Sequence, residues 1–369
     1  MLWYLIILAL MLYPYAISRA GTRTGRPTKH ISLFAACLIL WFFMAFRDVS
    51  VGVDTKYYCF VFSQFEQIPF SEVFTAVTYG TTDKTWAFEF EPGYRLLNKL
   101  VSLISLSPQA ITVANATIIL VLWYLLIRRD SPNYLLSIWL FITLGVYQTE
   151  MNVTRNAISI LLVYYAFPYL KKGAFFRYAA VCLLAASFHV AALLYIPVYF
   201  LVRGFRISVK RMMVLIGVFC MMGIVFPFVR PYLVGLFPAR FDQYLQGSNE
   251  KLSMLLVGLL NAGIFVLTMW LLPRRKREKV YDVERLGVML LTINLCFFGL
   301  NIGLRAAGRM AALFGPYLVI LIPRMLRQIE RPAARKQAVI LITALSGVQY
   351  VLRMLVNNIG GTLPFEFCW

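Results

Sequence analysis

Twelve apolar runs divide this chain, and no other property limits its fold so severely. They lie at roughly 1–18, 31–46, 109–127, 134–150, 152–170, 175–188, 189–202, 212–229, 253–272, 286–303, 306–323 and 338–353. A membrane helix needs about 20 apolar residues to cross ~30 Å of hydrocarbon. Twelve such elements would take up most of the 369 residues and leave only short connections. Composition agrees, with 60% hydrophobic and 14% charged residues, where soluble domains carry about 25% charge. The expected fold is an all-α polytopic membrane protein of about twelve transmembrane segments, with residues 1–369 as a single membrane domain. A soluble domain and intrinsic disorder are both excluded.

The formal charge of +20 does not point to nucleic acid, because the cations sit in short islands between apolar runs. Islands at 19–30, 128–129, 171–177, 203–211, 274–285 and 324–336 hold 24 of the 36 Lys and Arg residues. Twelve passes put all of them on one side, which loop-charge bias makes the cytoplasm. Both termini then lie outside, together with 11 of the 16 acidic residues. Met1–Ile17 has no basic leader or cleavage site and reads as a retained span. The six cysteines show no metal-ligand spacing. Cys59 and Cys368 would both face the exterior, where a disulfide is chemically allowed.

Residues 178–202 form one apolar run interrupted at Phe188-His189 and Pro197. A single span there would place Arg203, Arg206, Lys210 and Arg211 outside, against the charge bias. Two short half-helices meeting near His189 are expected instead, a break tolerated where protein or a cavity covers it. The long external loops are 47–108, with interfacial helices, and 230–252. Segment 94–107 is too short and polar to span and reads as an amphipathic helix on the outer surface. Loops of this length usually serve a function.

Phosphate loops, dinucleotide fingerprints, HExxH and DxD are absent. With no nucleotide-binding domain, substrate energy is expected in a lipid-linked compound reached from the membrane. Five constellations then stand out. Arg47, Asp48 and Asp54 leave the second span around Gly52, and Asp54 suits the N-cap of a helix through Tyr57 and Tyr58. Glu91 precedes Pro92 and Tyr94, where it would cap a helix or accept a proton from a substrate hydroxyl. Asn152, Arg155 and Asn156 fall on nearly one helical face, and an ionisable residue at membrane depth is a site candidate by default. His189 stands alone in an apolar run at the expected hairpin break. Arg305 and Arg309 form an i, i+4 pair whose mutual repulsion is relieved by an anion, and guanidinium forks match phosphate oxygens.

Arg47, Arg155, Arg305 and Arg309 all fall on the outer side, which suits a diphosphate held at the membrane surface. For the proton acceptor His189 ranks first, since histidine titrates near neutrality, followed by Asp54 and Glu91. Asn152, Tyr57, Tyr58 and Tyr94 are the expected sugar and acceptor contacts. No metal or cofactor is called for.

The chain resembles the EpsG family, grouped with Wzy-type polysaccharide polymerases. The likeness rests on Arg47 with Val51-Gly-Val-Asp-Thr55 and Tyr58, Glu91-Pro-Gly-Tyr94, and Met151-Asn152 with Arg155. It continues through Phe188-His189, the Arg305/Arg309 segment and Leu363-Pro-Phe-Glu-Phe367. Asn156 and Phe365 depart from the family, which often carries Gln and Tyr there. The resemblance implies metal-independent polymerisation of undecaprenyl-diphosphate-linked oligosaccharide repeats into exopolysaccharide, capsule or O-antigen. The site would lie on the outer face of the bacterial plasma membrane. A chain-length regulator and a flippase of the same pathway would be partners, along with the lipid bilayer. The alternative is a transporter of lipid-linked oligosaccharide, since many spans and buried charges also suit transport. Charges concentrated at one face rather than the midplane favour the polymerase.

Overall fold

The computed structural model describes residues 2–24, 28–74, 89–204, 208–233, 251–271 and 283–369. In chain order the helices are α1 (Leu2–Leu10), α2 (Leu12–Thr24), α3 (Lys29–Ala45), α4 (Thr55–Gln64), α5 (Pro92–Ser102) and α6 (Pro108–Asp130). There follow α7 (Tyr134–Thr143), α8 (Val146–Asn152), α9 (Thr154–Lys172), α10 (Phe175–Ala186), α11 (Tyr195–Gly204) and α12 (Val209–Leu233). The last are α13 (Lys251–Leu271), α14 (Val283–Leu300), α15 (Arg305–Phe314), α16 (Leu318–Arg327) and α17 (Pro332–Asn357). Among the described residues the only strand-like pairing is an isolated bridge between Arg47 and Phe367.

Local chemistry sets the boundaries. Pro108 opens α6 behind Ser107, whose hydroxyl accepts from the Gln109 amide, and Arg128 and Arg129 close it where its carbonyls point outward. Gly145, at φ +73°, ends the regular part of the 134–150 run and separates α7 from α8. Gly173, at φ +76°, stops α9 after Lys171 and Lys172.

Among the described residues four helices are long and apolar enough to cross a membrane: Leu2–Ala20, Pro108–Asp130, Val209–Tyr232 and Pro332–Met354. The pair α15 and α16, bent by 51°, makes a fifth if read as one span. The chain is therefore an all-helical polytopic membrane protein, but twelve full spans are not what the described residues form. Several expected runs are short or divided instead, such as Lys29–Ala45 and Phe175–Ala186. Residues 178–202 do break, at Ser187–His189, between α10 and a 3-10 turn at Val190–Leu194 that leads into α11. The expected loop 230–252 falls mostly outside the described residues, as does part of the loop 47–108.

Two compact units emerge, Met1–Tyr199 with Asn358–Trp369, and Phe200–Asn357. Within the first, α3 packs on α6, α6 on α9, and α9 on α10. Its tail runs back along the segment that leaves α3. The amides of Asp48, Gly52 and Val53 donate to the carbonyls of Glu366, Gly361 and Gly360, and Cys368 donates to Phe46. Phe365 and Phe367 complete an aromatic cluster with Trp3, Tyr4, Phe42 and Phe43. In the second unit α12 packs on α14, and α14 on α15. There α12 and α14 approach so closely that a Cβ on Gly223 would sit 2.2 Å from the Gly299 carbonyl oxygen.

Candidate active site

The site is built where α5 begins and α10 ends. Glu91 is the N-cap residue of α5, in extended conformation, and Pro92 fixes the first turn. The Glu91 side chain does not cap its own helix. The α5 amides of Gly93 and Tyr94 instead donate to the Ser187 carbonyl, at 2.7 and 3.2 Å. Only glycine allows this approach, because a Cβ at position 93 would lie 2.8 Å from that oxygen. The contact ties the start of α5 to the break in the 178–202 run and frees the Glu91 carboxylate to cross it.

That carboxylate joins three groups. Oε1 accepts from the Val190 amide at 3.1 Å and lies 2.9 Å from His189 Nδ1, while Oε2 accepts from Arg155 Nη1 at 2.6 Å. Burial would raise the Glu91 pKa, but the His189 hydrogen bond, the Arg155 charge and the Val190 amide outweigh it and hold the carboxyl below its usual range. An ionised carboxylate only accepts, so Nδ1 carries the proton and Nε2 of a neutral His189 is left as the acceptor. His189 is held in extended backbone, and its carbonyl accepts from Ser159 Oγ of α9 at 3.2 Å. Side-chain exposure is 29% for His189 against 17% for Glu91, so the imidazole is the more open member of the pair.

Arg155 stands on the first turn of α9 inside an aromatic cage. Its Cζ lies 4.4 Å from the Phe90 ring centre, 5.7 Å from Tyr58 and 5.9 Å from Tyr94. Such cation–π contacts contribute about 0.5–2 kcal/mol each as they become desolvated. Tyr58 and Tyr94, expected as sugar and acceptor contacts, are buried and wall the guanidinium. The Tyr94 hydroxyl accepts from Asn115 Nδ2 at 2.8 Å. Tyr57 is the more open tyrosine of α4, and its hydroxyl donates to Glu89 at 2.6 Å.

Other expected residues serve different ends. Arg47 differs from a diphosphate ligand: it is 2% exposed and its donors go to the carbonyls of Met44, Val51 and Met151. It locks the end of α3 to the end of α8. Asn152 is no neighbour of Arg155 on one helix, because Val153 at φ −101°, ψ 59° separates α8 from α9. Its Oδ1 accepts from the Asp54 amide at 2.7 Å. Asp54 holds the expected N-cap position of α4, but its side chain makes no capping bond. Arg305 and Arg309 lie on α15 of the second unit, both exposed. Cys59 is a buried free thiol against α6 and Cys368 an exposed one.

Sequence reasoning missed Phe90, the floor beneath Arg155, and the carbonyl of Ser187. Phe90 sits between Glu89 and the expected site residue Glu91, and that alternation was the available signal. Buried Glu150, accepting from Trp123 Nε1 at 2.6 Å, is a further polar pair inside the first unit.

No curated protein and no solved structure matches this chain. A sequence profile described as the EpsG family matches residues 30–367, which include every site residue described above. With that match over nearly the whole length, the chain belongs to the EpsG family of exopolysaccharide-related membrane proteins.

Proposed function

We propose that this protein is a membrane glycosyltransferase that polymerises undecaprenyl-diphosphate-linked oligosaccharide repeats on the outer face of the plasma membrane. The observation that carries the reading is the Glu91 carboxylate bridging His189 and Arg155. In the proposed step a hydroxyl of the incoming lipid-linked repeat attacks the anomeric carbon of the growing chain. The new C–O bond forms as the bond to the lipid diphosphate breaks, and the electron pair leaves with the diphosphate. His189 Nε2 takes the hydroxyl proton, while Glu91 fixes the tautomer and stabilises the imidazolium. Fixed guanidinium charge at Arg155 offsets the negative charge that develops on the leaving group. Half-buried Tyr57 and exposed Glu89 contact the acceptor sugar. Asp54 is the runner-up base, and Arg305 and Arg309 are proposed as further anion ligands.

The test is purified protein in lipid nanodiscs given a lipid-linked repeat, with products resolved by size. A ladder of longer products supports polymerisation. Unchanged substrate, together with its movement between leaflets in vesicles, would favour a transporter.

A further inference from the structure

Helix α5 buries polar residues alongside Tyr94 and Val101 and leaves an apolar side outward. Its polar residues Arg95, Asn98, Lys99 and Ser102 are buried. Lys99 Nζ donates to the Phe65 carbonyl at 3.0 Å, and Ser102 and Asn98 bond within the helix. The opposite side carries Leu96 and Leu100, continued by Leu103 and Ile104 in the turn just past the helix end, and the last three are 46%, 67% and 87% exposed. In water such an outward apolar side would be unfavourable, since amphipathic helices on soluble proteins bury it. Against hydrocarbon it is favourable. In the chain the stripe ends four residues before Pro108, the first residue of helix α6, which is long and apolar enough to cross a membrane.

The same helix starts at Glu91. From there to Ile104 is about 20 Å at 1.5 Å per residue, with the reactive network at one end and the apolar stripe along the rest. We infer that the outward stripe running from α5 to Ile104 is the docking surface for the polyprenyl tail of the lipid-linked substrate, which presents its diphosphate to Arg155. This rests on the proposed function for the identity of the lipid. The outward apolar face itself does not depend on that reading.

The experiment places p-benzoylphenylalanine at Ile104, and in a separate protein at Val121, an exposed residue of α6. Each protein is put in phosphatidylcholine nanodiscs doped with undecaprenyl diphosphate, irradiated and analysed by mass spectrometry. The inference predicts polyprenyl adducts at position 104 several-fold above their mole fraction in the bilayer, and adducts in proportion to mole fraction at position 121. Equal ratios at the two positions would overturn it, leaving α5 in contact with bulk lipid only. An absence of any lipid adduct at position 104 would also overturn it. The ladder assay on unsubstituted protein in the same nanodiscs separates the two claims. A ladder without enrichment at position 104 refutes the tail site alone, and enrichment without a ladder refutes the polymerase alone.

Discussion

At the scale of single residues, the central feature is that one carboxylate serves two partners. Glu91 fixes the proton on His189 Nδ1 and forms an ion pair that orients Arg155 within the cage of Phe90, Tyr58 and Tyr94. Arg155→Ala is predicted to lower polymer formation on the order of 10²-fold or more, as loss of a charge-stabilising donor does elsewhere. Arg155→Lys should rescue poorly, because lysine keeps the charge but loses the planar fork and the stacking. Quantitative polymer assays, normalised to protein in the membrane, check both. The lowered Glu91 pKa gives a pH prediction with a definite sign. A depressed folded-state value stabilises the protein above the ordinary glutamate range and ceases to do so as pH falls through the lowered value. The unfolding midpoint of wild type should therefore exceed that of Glu91→Gln at neutral pH, and the gap should close on acidification. A gap unchanged by acid would mean that the carboxylate is not held by these partners.

At the scale of elements, the two backbone junctions decide whether the site exists. Gly93 lets α5 meet the Ser187 carbonyl, and Gly93→Ala forces a Cβ to within 2.8 Å of it. Overpacking of this kind costs about 1–3 kcal/mol, and the displacement would move Glu91 from His189. A lower unfolding midpoint with loss of polymer is expected, and wild-type behaviour in both would show that α5 has room to shift. The tail is the second brace, holding Gly52 and Val53 through Gly361 and Gly360. Much of this level was legible in the chain: the broken run at His189, the glycine turn at 52 and the helix start at Pro92. The face of α5 was not, because periodicity finds an apolar stripe without saying which solvent it meets. The helix break at Val153 was equally hidden, since nothing at Asn152 or Thr154 forbids a continuous helix. Arg47 drew attention as an outward cation, yet an arginine that satisfies three carbonyls leaves the same mark in a sequence as one that binds phosphate.

At the scale of the whole molecule, the sequence carries the membrane class plainly but not the number of full spans, because apolar content does not distinguish a crossing helix from a short buried one. Among the described residues four helices, or five with the bent pair, are long and apolar enough to cross. Orientation is open to a simple check. Cys368 is the exposed free thiol of the tail, and the proposed orientation, argued from loop charge, has the termini outside. A membrane-impermeant maleimide should therefore label it in intact cells. Labelling only in inverted vesicles would reverse the topology and put the candidate site in the cytoplasm. The account as a whole stands on His189 and Glu91 acting as one catalytic unit, and the rate of first glycosidic bond formation tests that directly. It should be measured for wild type, His189→Gln, Glu91→Gln and the double variant, with binding of the lipid-linked repeat followed separately. Residues that act as a unit are strongly non-additive. Each single variant should fall about 10²-fold or more with binding retained, consistent with loss of general-base catalysis, and the double variant should be little slower than either. A normal rate in His189→Gln, or losses that multiply in the double variant, would contradict the account.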